Sequence, residues 1–551
     1  MQESWVDQYS PLVAAALGVL SHVTIFIRGE WHMYGSLLGR TFVTAAFALS
    51  CVEILHHGNL SIATRATVNI IGSYLLSLFV SIAVYRIWFH RLRRFPGPRL
   101  ASVTKLWHVW KCRKGDNHLV LEDLAKRYGP IIRTGPEELT IVDPAIVHLI
   151  DGPKSMCTKA AWYDISLPQL SIHTTRDLHD HNTRRRYWER GFGTAALALY
   201  AQYTTQYADL MRTQMERLIR QKSSHSHGHP EAIINVTDWC AWFAFDVMGE
   251  FAFAKSFGML QGGKWHDGIR LLNEGMDTVG PASPVPWLAQ LVLNFRPRTS
   301  AVRKWHSMLD WCKSCMDERL QNDVGRLDVA HWLVQAWRDK LSTAGKEWLE
   351  GDAVTMIVAG SGTVAGTLTF ALYELARASS HQARLLTELK DIDIYDRLQL
   401  QSCSHLDAII QETLRLHPMV PTGGYRLTPR TGLFLNDVFI PANTTIVAPR
   451  YSLSRLDSCY ARPEQFIPER WTTRQDLVLD KRGFAPFSMG KFSCVGKTLA
   501  MIEMRFVLAM LVKHFEISFV EGEEGDSLFK GLRDLFTFKP GDLNLRFRMR
   551  Y

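Results

Sequence analysis

Three apolar stretches open the chain, Pro11–Ile27, Leu37–Leu55 and Val68–Phe89. Each is long enough, or nearly so, to cross a bilayer as a helix, which takes about 20 residues. The middle one is the weakest: Arg40 and Glu53 lie near its ends, where side chains can snorkel to an interface. The basic run Arg86-Ile87-Trp88-Phe89-His90-Arg91-Leu92-Arg93-Arg94 follows the third stretch, and the positive-inside rule puts it in the cytosol. Three spans then leave the acidic N-terminus, with Glu3 and Asp7, in the lumen, and the sequon Asn59-Leu60-Ser61 is lumenal but close to the membrane. An acidic start and recurring apolar stretches argue against a cleaved signal peptide. Phe95-Pro96-Gly97-Pro98 is a stiff, extended hinge. Beyond it helical periodicity dominates, and the alternating runs Ile131–Gly135 and Leu139–Val142 predict a small sheet. The expected architecture is mostly α with a minor β part, with a membrane anchor over residues 1–94 and one globular domain over 95–551. Ala353–Tyr373 carries no charge and has the length of a fourth span, yet the helices flanking it are of soluble type, so it reads as a core helix.

Composition narrows the function. With 551 residues, 47% of them hydrophobic, the chain builds a large core and is not disordered. Nine cysteines form no even, closely spaced framework, which points to a reducing compartment. Cys312 and Cys315 make a Cys-x-x-Cys inside a helical pattern with no second pair, a poor fit to zinc or redox work. A net charge of +9 favours acidic partners, either membrane lipid or an acidic protein, and no nucleic-acid motif accompanies it. His225, His227 and His229 alternate in the polar stretch Gln221–Pro230, where a solvated loop is a simpler reading than a metal site. Val279–Trp287, followed by Leu288–Leu293, is an apolar, proline-broken loop.

The chemistry concentrates in Phe487-Ser488-Met489-Gly490-Lys491-Phe492-Ser493-Cys494-Val495-Gly496, just ahead of a long apolar run. A cysteine at a helix N-terminus meets unpaired N–H groups and the positive end of the dipole, which favour its thiolate. Gly490 and Gly496 leave the backbone bare on either side of Cys494, so a flat cofactor can approach, and Phe487 can shield one face of it. A buried structural cysteine is the plainer alternative. Gly496-Lys497-Thr498 looks like the end of a phosphate-binding loop, but the glycine required earlier in that motif is Lys491 here.

Phe487, Gly490, Cys494 and Gly496 match, at that family's spacing, the haem-ligand loop of the cytochrome P450 monooxygenases, and the chain resembles fungal, membrane-bound members of specialised metabolism. The resemblance implies a cytochrome P450 fold after the transmembrane helices, with Cys494 as axial ligand to the iron of heme b (iron protoporphyrin IX). It implies use of O2, with electrons from NADPH through a separate NADPH-cytochrome P450 reductase, which Lys491 and Lys497 help to dock. The substrate implied is small and apolar, and the location is the endoplasmic reticulum membrane with the catalytic domain facing the cytosol. His181 and Arg185, one turn apart, and Arg426 take the positions of propionate partners. Relatives usually carry Arg or His two residues before the cysteine; Phe492 stands there, with Lys491 as a candidate replacement.

Ala359-Gly360-Ser361-Gly362-Thr363 matches the oxygen-binding segment. Gly360 and Gly362 leave room for the ligand, and the Thr363 hydroxyl delivers protons while bonding back to its own helix. The acid usual before this threonine is replaced by Gly362, so protons arrive by another route, and rearrangement or dehydration of an already oxidised substrate is an alternative, as is a non-catalytic haem protein. Glu412, Arg415 and Arg470 correspond to the family's buried charged triad. Substrate contacts are expected from Thr158–Ser171, from Met356 and Val364, and from Met419–Gly424. By the same resemblance the loop Val279–Trp287 touches the bilayer and gates a channel.

Overall fold

The apolar stretches at the start of the chain become three long helices, α1 (Trp5–Ser21), α2 (Gly35–His57) and α3 (Leu60–Val84). The computed structural model describes residues 5–223, 230–280, 283–294, 299–322, 325–339 and 345–550. Glu3, the histidines 225, 227 and 229, and residues 281–282 of the apolar loop lie outside them, as does the side chain of Asp7. Helix α3 starts eight residues before the apolar run, because Asn59 caps it by accepting from the N–H groups of Ser61 (2.9 Å) and Ile62 (3.3 Å). The basic run is tied to the globular domain: Arg86 donates to the Val103 carbonyl at 2.6 Å, Arg91 to that of Asn443 at 2.8 Å and Arg94 to that of Phe439. Leu92 and Phe95 are buried against Leu139, Ile146 and Ile446.

The globular part is mostly helical. Its main sheet has five short strands, β1 (Ile131–Gly135), β2 (Glu138–Ile141), β3 (Thr158–Lys159), β4 (Tyr425–Leu427) and β5 (Thr445–Val447), in the order β1-β2-β5-β4-β3. Only the β2–β5 pairing is parallel. The predicted strand at Leu139–Val142 appears as β2, and β3 to β5 bring distant parts of the chain beside it.

The main core gathers around α4 (Leu178–Gly191), α5 (Val236–Phe253), α7 (Ser300–Gln321), α8 (Lys346–Gly360), α9 (Gly362–Arg377), α10 (Ser404–Leu416) and α11 (Lys497–His514), while α6 (Pro286–Asn294) lies outside it and packs on the segment 161–166 and on α2. Helix α5 is apolar on all sides and buried nearly throughout, as such a helix must be. The uncharged stretch Ala353–Tyr373 falls within α8 and α9; the most apolar 18-residue window of Lys346–Arg377 is 61% buried, against 17%, 0% and 11% for the corresponding windows of the three N-terminal apolar helices. It is a core element, as its context predicted.

Helices α8 and α9 would be continuous but for Ser361, whose φ of −124° breaks the helix. Ser361 Oγ donates to the Ile357 carbonyl at 2.7 Å and Thr363 Oγ1 to that of Ala359 at 2.9 Å, the back-bonding that bends helices. A second tie crosses the core: Arg184 Nε of α4 meets Asp352 Oδ2 of α8 at 2.5 Å, both fully buried. Asp352 also accepts from Trp188 Nε1 (3.3 Å) and from the Ile172 N–H (3.2 Å). Removing one partner of such a pair strands the other charge. Asp352→Ala is therefore expected to cost about 3–5 kcal/mol, read as a lower denaturation midpoint, and an unchanged midpoint contradicts the role of the pair.

Candidate active site

The helix break opens onto a cavity of about 870 Å³. Its wall is formed by α4, by α8 and α9, by the segment 161–172, by the turn around Met419 and by the loop Ala485–Gly496. Cys494 is exposed, and the surface it presents belongs to this wall. Its own N–H donates to the Phe487 carbonyl at 2.9 Å, closing the loop. Burial raises the pKa of the thiol, while the N–H groups of Gly496 and Lys497 and the charges of Arg185 and Lys497 oppose that rise and favour the thiolate. Arg185 clamps the loop, donating to the Ser493 carbonyl at 2.6 Å and that of Lys491 at 3.3 Å.

The two glycines of the loop differ in purpose. Gly496 borders the sulfur: a Cβ there would lie 4.0 Å from Cys494 Sγ. Gly490 does not line the cavity. It has φ +61°, and a Cβ would lie 2.5 Å from the Asp151 carbonyl oxygen, so glycine is required there for a turn packed on backbone. The expectation that Gly490 bares the backbone for a cofactor is corrected accordingly. Phe487 does line the cavity, with Lys497 Nζ 5.9 Å from its ring centre.

One side of the cavity is a nest of cations. His181, Arg185 and Arg426 all reach it, joined by Lys159 and Arg450, which sequence reasoning missed. Asp151 bridges Arg426 and Arg450, accepting from Arg426 Nε at 2.7 Å, and Tyr163 Oη accepts from Arg426 at 2.9 Å. Lys159 is 4% exposed and donates to the Ile172 carbonyl at 2.7 Å. Burial and the charges of Arg426 and Arg185 hold its pKa well below the usual lysine value. His181 is pushed down to about 4 by burial and by Lys159. Arg450 Nη1 is buried without a hydrogen-bond partner among the described residues. Phe492 sits amid these charges, 4.6 Å below the Arg426 guanidinium and 5.3 Å from Lys159 Nζ, with the His181 ring 5.0 Å away. Lys491, the candidate replacement for the missing basic residue, instead donates to the Ser155 carbonyl at 3.1 Å and does not line the cavity. Lys159 was hidden because its sequence context, a two-residue strand, carries no motif. A cation-rich wall with an orphaned donor fits an anionic group, and the thiol presented to the same cavity fits a metal. The residues therefore suit a haem with its two carboxylates.

The kink carries Thr363 into the cavity wall. At Gly362 a Cβ would meet nothing within 4 Å, so the position faces open space. At Gly360, which also lines the cavity, it would lie 3.2 Å from Met248 and 3.3 Å from Phe251, so the absence of a side chain there also lets helix α5 pack closely. Among the described acids of the wall, Asp310, Glu350 and Glu503, only Glu503 is fully buried, and burial raises its pKa well above the usual carboxyl value. The expected substrate contacts Met356, Val364, Met419 and Val420 converge on the cavity. Trp162 reaches it too, but its ring is stacked between Tyr425 (4.9 Å) and Phe536 (4.4 Å), so it is mainly core.

Glu412, Arg415 and Arg470 meet with no exposed surface. Arg415 binds the Glu412 carboxylate at 2.8 and 3.0 Å and Arg470 joins at 3.1 Å. The two arginines then donate to the carbonyls of Ser454, Pro463, Gln465, Ala461, Arg462 and Leu477, tying α10 to the segment that leads into the cysteine loop.

A family model for cytochrome P450 matches residues 96–546. The chain is similar to tryprostatin B 6-hydroxylase of Aspergillus fumigatus, 34% identical over 526 residues, covering 93% of this chain and 91% of that protein. It is likewise similar to cytochrome P450 monooxygenase FCK2 of Fusarium pseudograminearum, 34% identical over 549 residues, covering 97% of this chain and 96% of that protein. A third relative, cytochrome P450 monooxygenase lcsK of Purpureocillium lilacinum, is 32% identical over 552 residues and covered over 98% of both chains.

Arg415→Ala removes one of Glu412's two buried arginine partners and frees the three carbonyl ties that Arg415 makes, to Ser454, Pro463 and Gln465. It is expected to cost about 3–5 kcal/mol and to leave little folded protein able to bind haem, measured as haem per purified chain; full haem content contradicts the triad's role.

Proposed function

The chain belongs to the cytochrome P450 family and is a monooxygenase, and from that premise we propose that it oxidises a small, apolar, part-aromatic specialised metabolite with electrons from NADPH through a separate reductase. The observation that carries the reading is the convergence of Cys494 and Thr363 on one cavity whose wall includes Ile165, Leu167, Phe251, Val354, Met356 and Val364. In this reading Cys494 holds the haem iron, Phe487 and Gly496 flank the ring, and Lys159, His181, Arg185 and Arg426 hold its carboxylates. Bound there, haem supplies the binding and activation of O2. The apolar wall orients the substrate and excludes water, which strengthens every polar contact inside. Thr363 holds a proton at Oγ1 beside the reacting centre, its hydroxyl kept in position by the Ala359 carbonyl. Residues 1–94 anchor the protein in the endoplasmic reticulum membrane, and 95–551 form the catalytic domain on the cytosolic face. Lys491 and Lys497 contribute to the surface that receives the acidic reductase.

Gly362 favours a second reading, in which an already oxidised substrate is rearranged or dehydrated without the reductase, because the residue just before Thr363 carries no carboxyl to pass protons on. Products formed under labelled dioxygen with a reductase separate the two: label in a product that Cys494→Ala does not make supports oxygenation, and an unlabelled product that still needs Cys494 supports the alternative.

Two further outcomes are expected. Gly362→Asp fits the open space at that position, so it should fold normally and raise the fraction of NADPH consumed that appears as product; unchanged coupling would show that the missing acid is not limiting. Lys159→Met should keep the fold by circular dichroism but lower haem content, since a cation facing the carboxylates is lost; full retention of haem contradicts that role.

A further inference from the structure

The loop between α1 and α2 is bound to the globular domain by a compact ion cluster. Glu30 receives two hydrogen bonds from Arg176, at 2.7 and 2.8 Å. The same guanidinium donates to Asp164 Oδ2 at 2.7 Å, and His32 Nε2 meets that oxygen at 2.7 Å. Ligand atoms of Glu30, His32 and Asp164 lie within 4.8 Å of one another, a metal-like spacing. Arg176 already supplies the cation, in the forked geometry that suits paired carboxylates, so the cluster reads as a clamp.

What the clamp grips is the cavity wall. Ile165, Leu167, Pro168 and Gln169, directly after Asp164, all line the cavity, and Arg176 Nε reaches the carbonyl of the buried Lys159 at 3.4 Å. Gln290 of α6 converges on the same backbone, donating to the carbonyls of Asp164 (3.2 Å), Ile165 (2.7 Å) and Leu167 (3.0 Å). Helix α6 in turn meets the start of α2: a Cβ on Gly35 would lie 3.6 Å from Leu291 Cδ1. One wall segment is thus held at once by the first inter-span loop and by a helix that touches the second span.

We propose that the loop Arg28–Tyr34 lies on the same side of the membrane as the catalytic domain and acts as a strap that holds the cavity wall 161–171 closed. This agrees with the three-span reading, which puts the second inter-span turn, at Asn59, across the membrane. Passage of ligands into the cavity depends on the contact between the anchor and the domain, so the anchor is part of the entrance as well as a tether.

Full-length protein in sealed membrane vesicles, with single cysteines introduced as Tyr34→Cys, Leu60→Cys and Lys390→Cys, tests the topology. Tyr34 and Leu60 are 51% and 68% exposed and Lys390 is exposed. Against the unmodified chain as background, an impermeant maleimide is expected to label positions 34 and 390 alike and position 60 oppositely. Labelling of 34 together with 60 overturns the proposal. For the strap, Glu30→Ala, Arg176→Ala and the double variant are compared by hydrogen exchange of segment 161–171 and by the rate at which 4-phenylimidazole reaches the haem. A rise of about threefold in both is expected for each single variant, the size a partly exposed ion pair supports, with little further change in the double variant. Unchanged exchange and association in Glu30→Ala, or fully additive effects, overturn the strap.

Discussion

The loop from Phe487 to Gly496 keeps its register because charged groups hold it from two sides, a fully buried triad on one and the half-buried Arg185 on the other. On one side Glu412, Arg415 and Arg470 meet out of contact with solvent, and the arginines spend their remaining donors on six carbonyls of the segment just upstream. On the other side Arg185 closes on the Lys491 and Ser493 carbonyls. Charges so buried are tolerated only when paired and hydrogen-bonded, so each tie demands the rest. The result is a sulfur facing a cavity, flanked by backbone N–H groups and by apolar walls. The proposed chemistry begins from that arrangement.

The opposite demand shapes the basic wall of the cavity. Lys159, Arg426 and Arg450 are all buried at one wall; the carboxylate of Asp151 binds the two arginines, and Lys159 donates to the Ile172 carbonyl. Burial and mutual repulsion already push Lys159 toward losing its charge. A pair of carboxylates arriving there would relieve that repulsion, so the folded chain is electrostatically ready for an anionic ligand. Phe492, where relatives usually carry a base, lies under these cations with its ring face toward Arg426, and that contact gives it a place in the nest. Lys159, from the far end of the sheet, brings a basic side chain to within 5.3 Å of the ring at position 492.

Much of this was legible in the sequence, and the limits have physical causes. Residues in linear motifs were found: Cys494, Thr363, the triad, and the pair His181 and Arg185 each carry their spacing with them. The helical fold, the three spans and the core identity of Ala353–Tyr373 followed from periodicity and charge. Lys159 and Arg450 escaped because sheet pairing, which brings residues hundreds of positions apart together, leaves no local trace. Gly490 reads as room for the cofactor because glycine in a motif looks the same whether it admits a ligand or a turn. Only the atoms that a Cβ would strike tell these apart. The bond between the anchor loop and Arg176 was likewise invisible, since nothing in residues 28–34 distinguishes them from any short polar connection.

The ligation of haem by Cys494 is the claim on which the rest stands. It is tested most directly by the absorption spectrum of the reduced, carbon-monoxide-bound full-length protein, compared with Cys494→Ala and Cys494→His. The intact chain should show the long-wavelength Soret band that a thiolate ligand imposes, and both variants should lose it while keeping their fold by circular dichroism. A thiolate-type band persisting in Cys494→Ala, or one absent from a haem-loaded intact chain, would contradict the assignment.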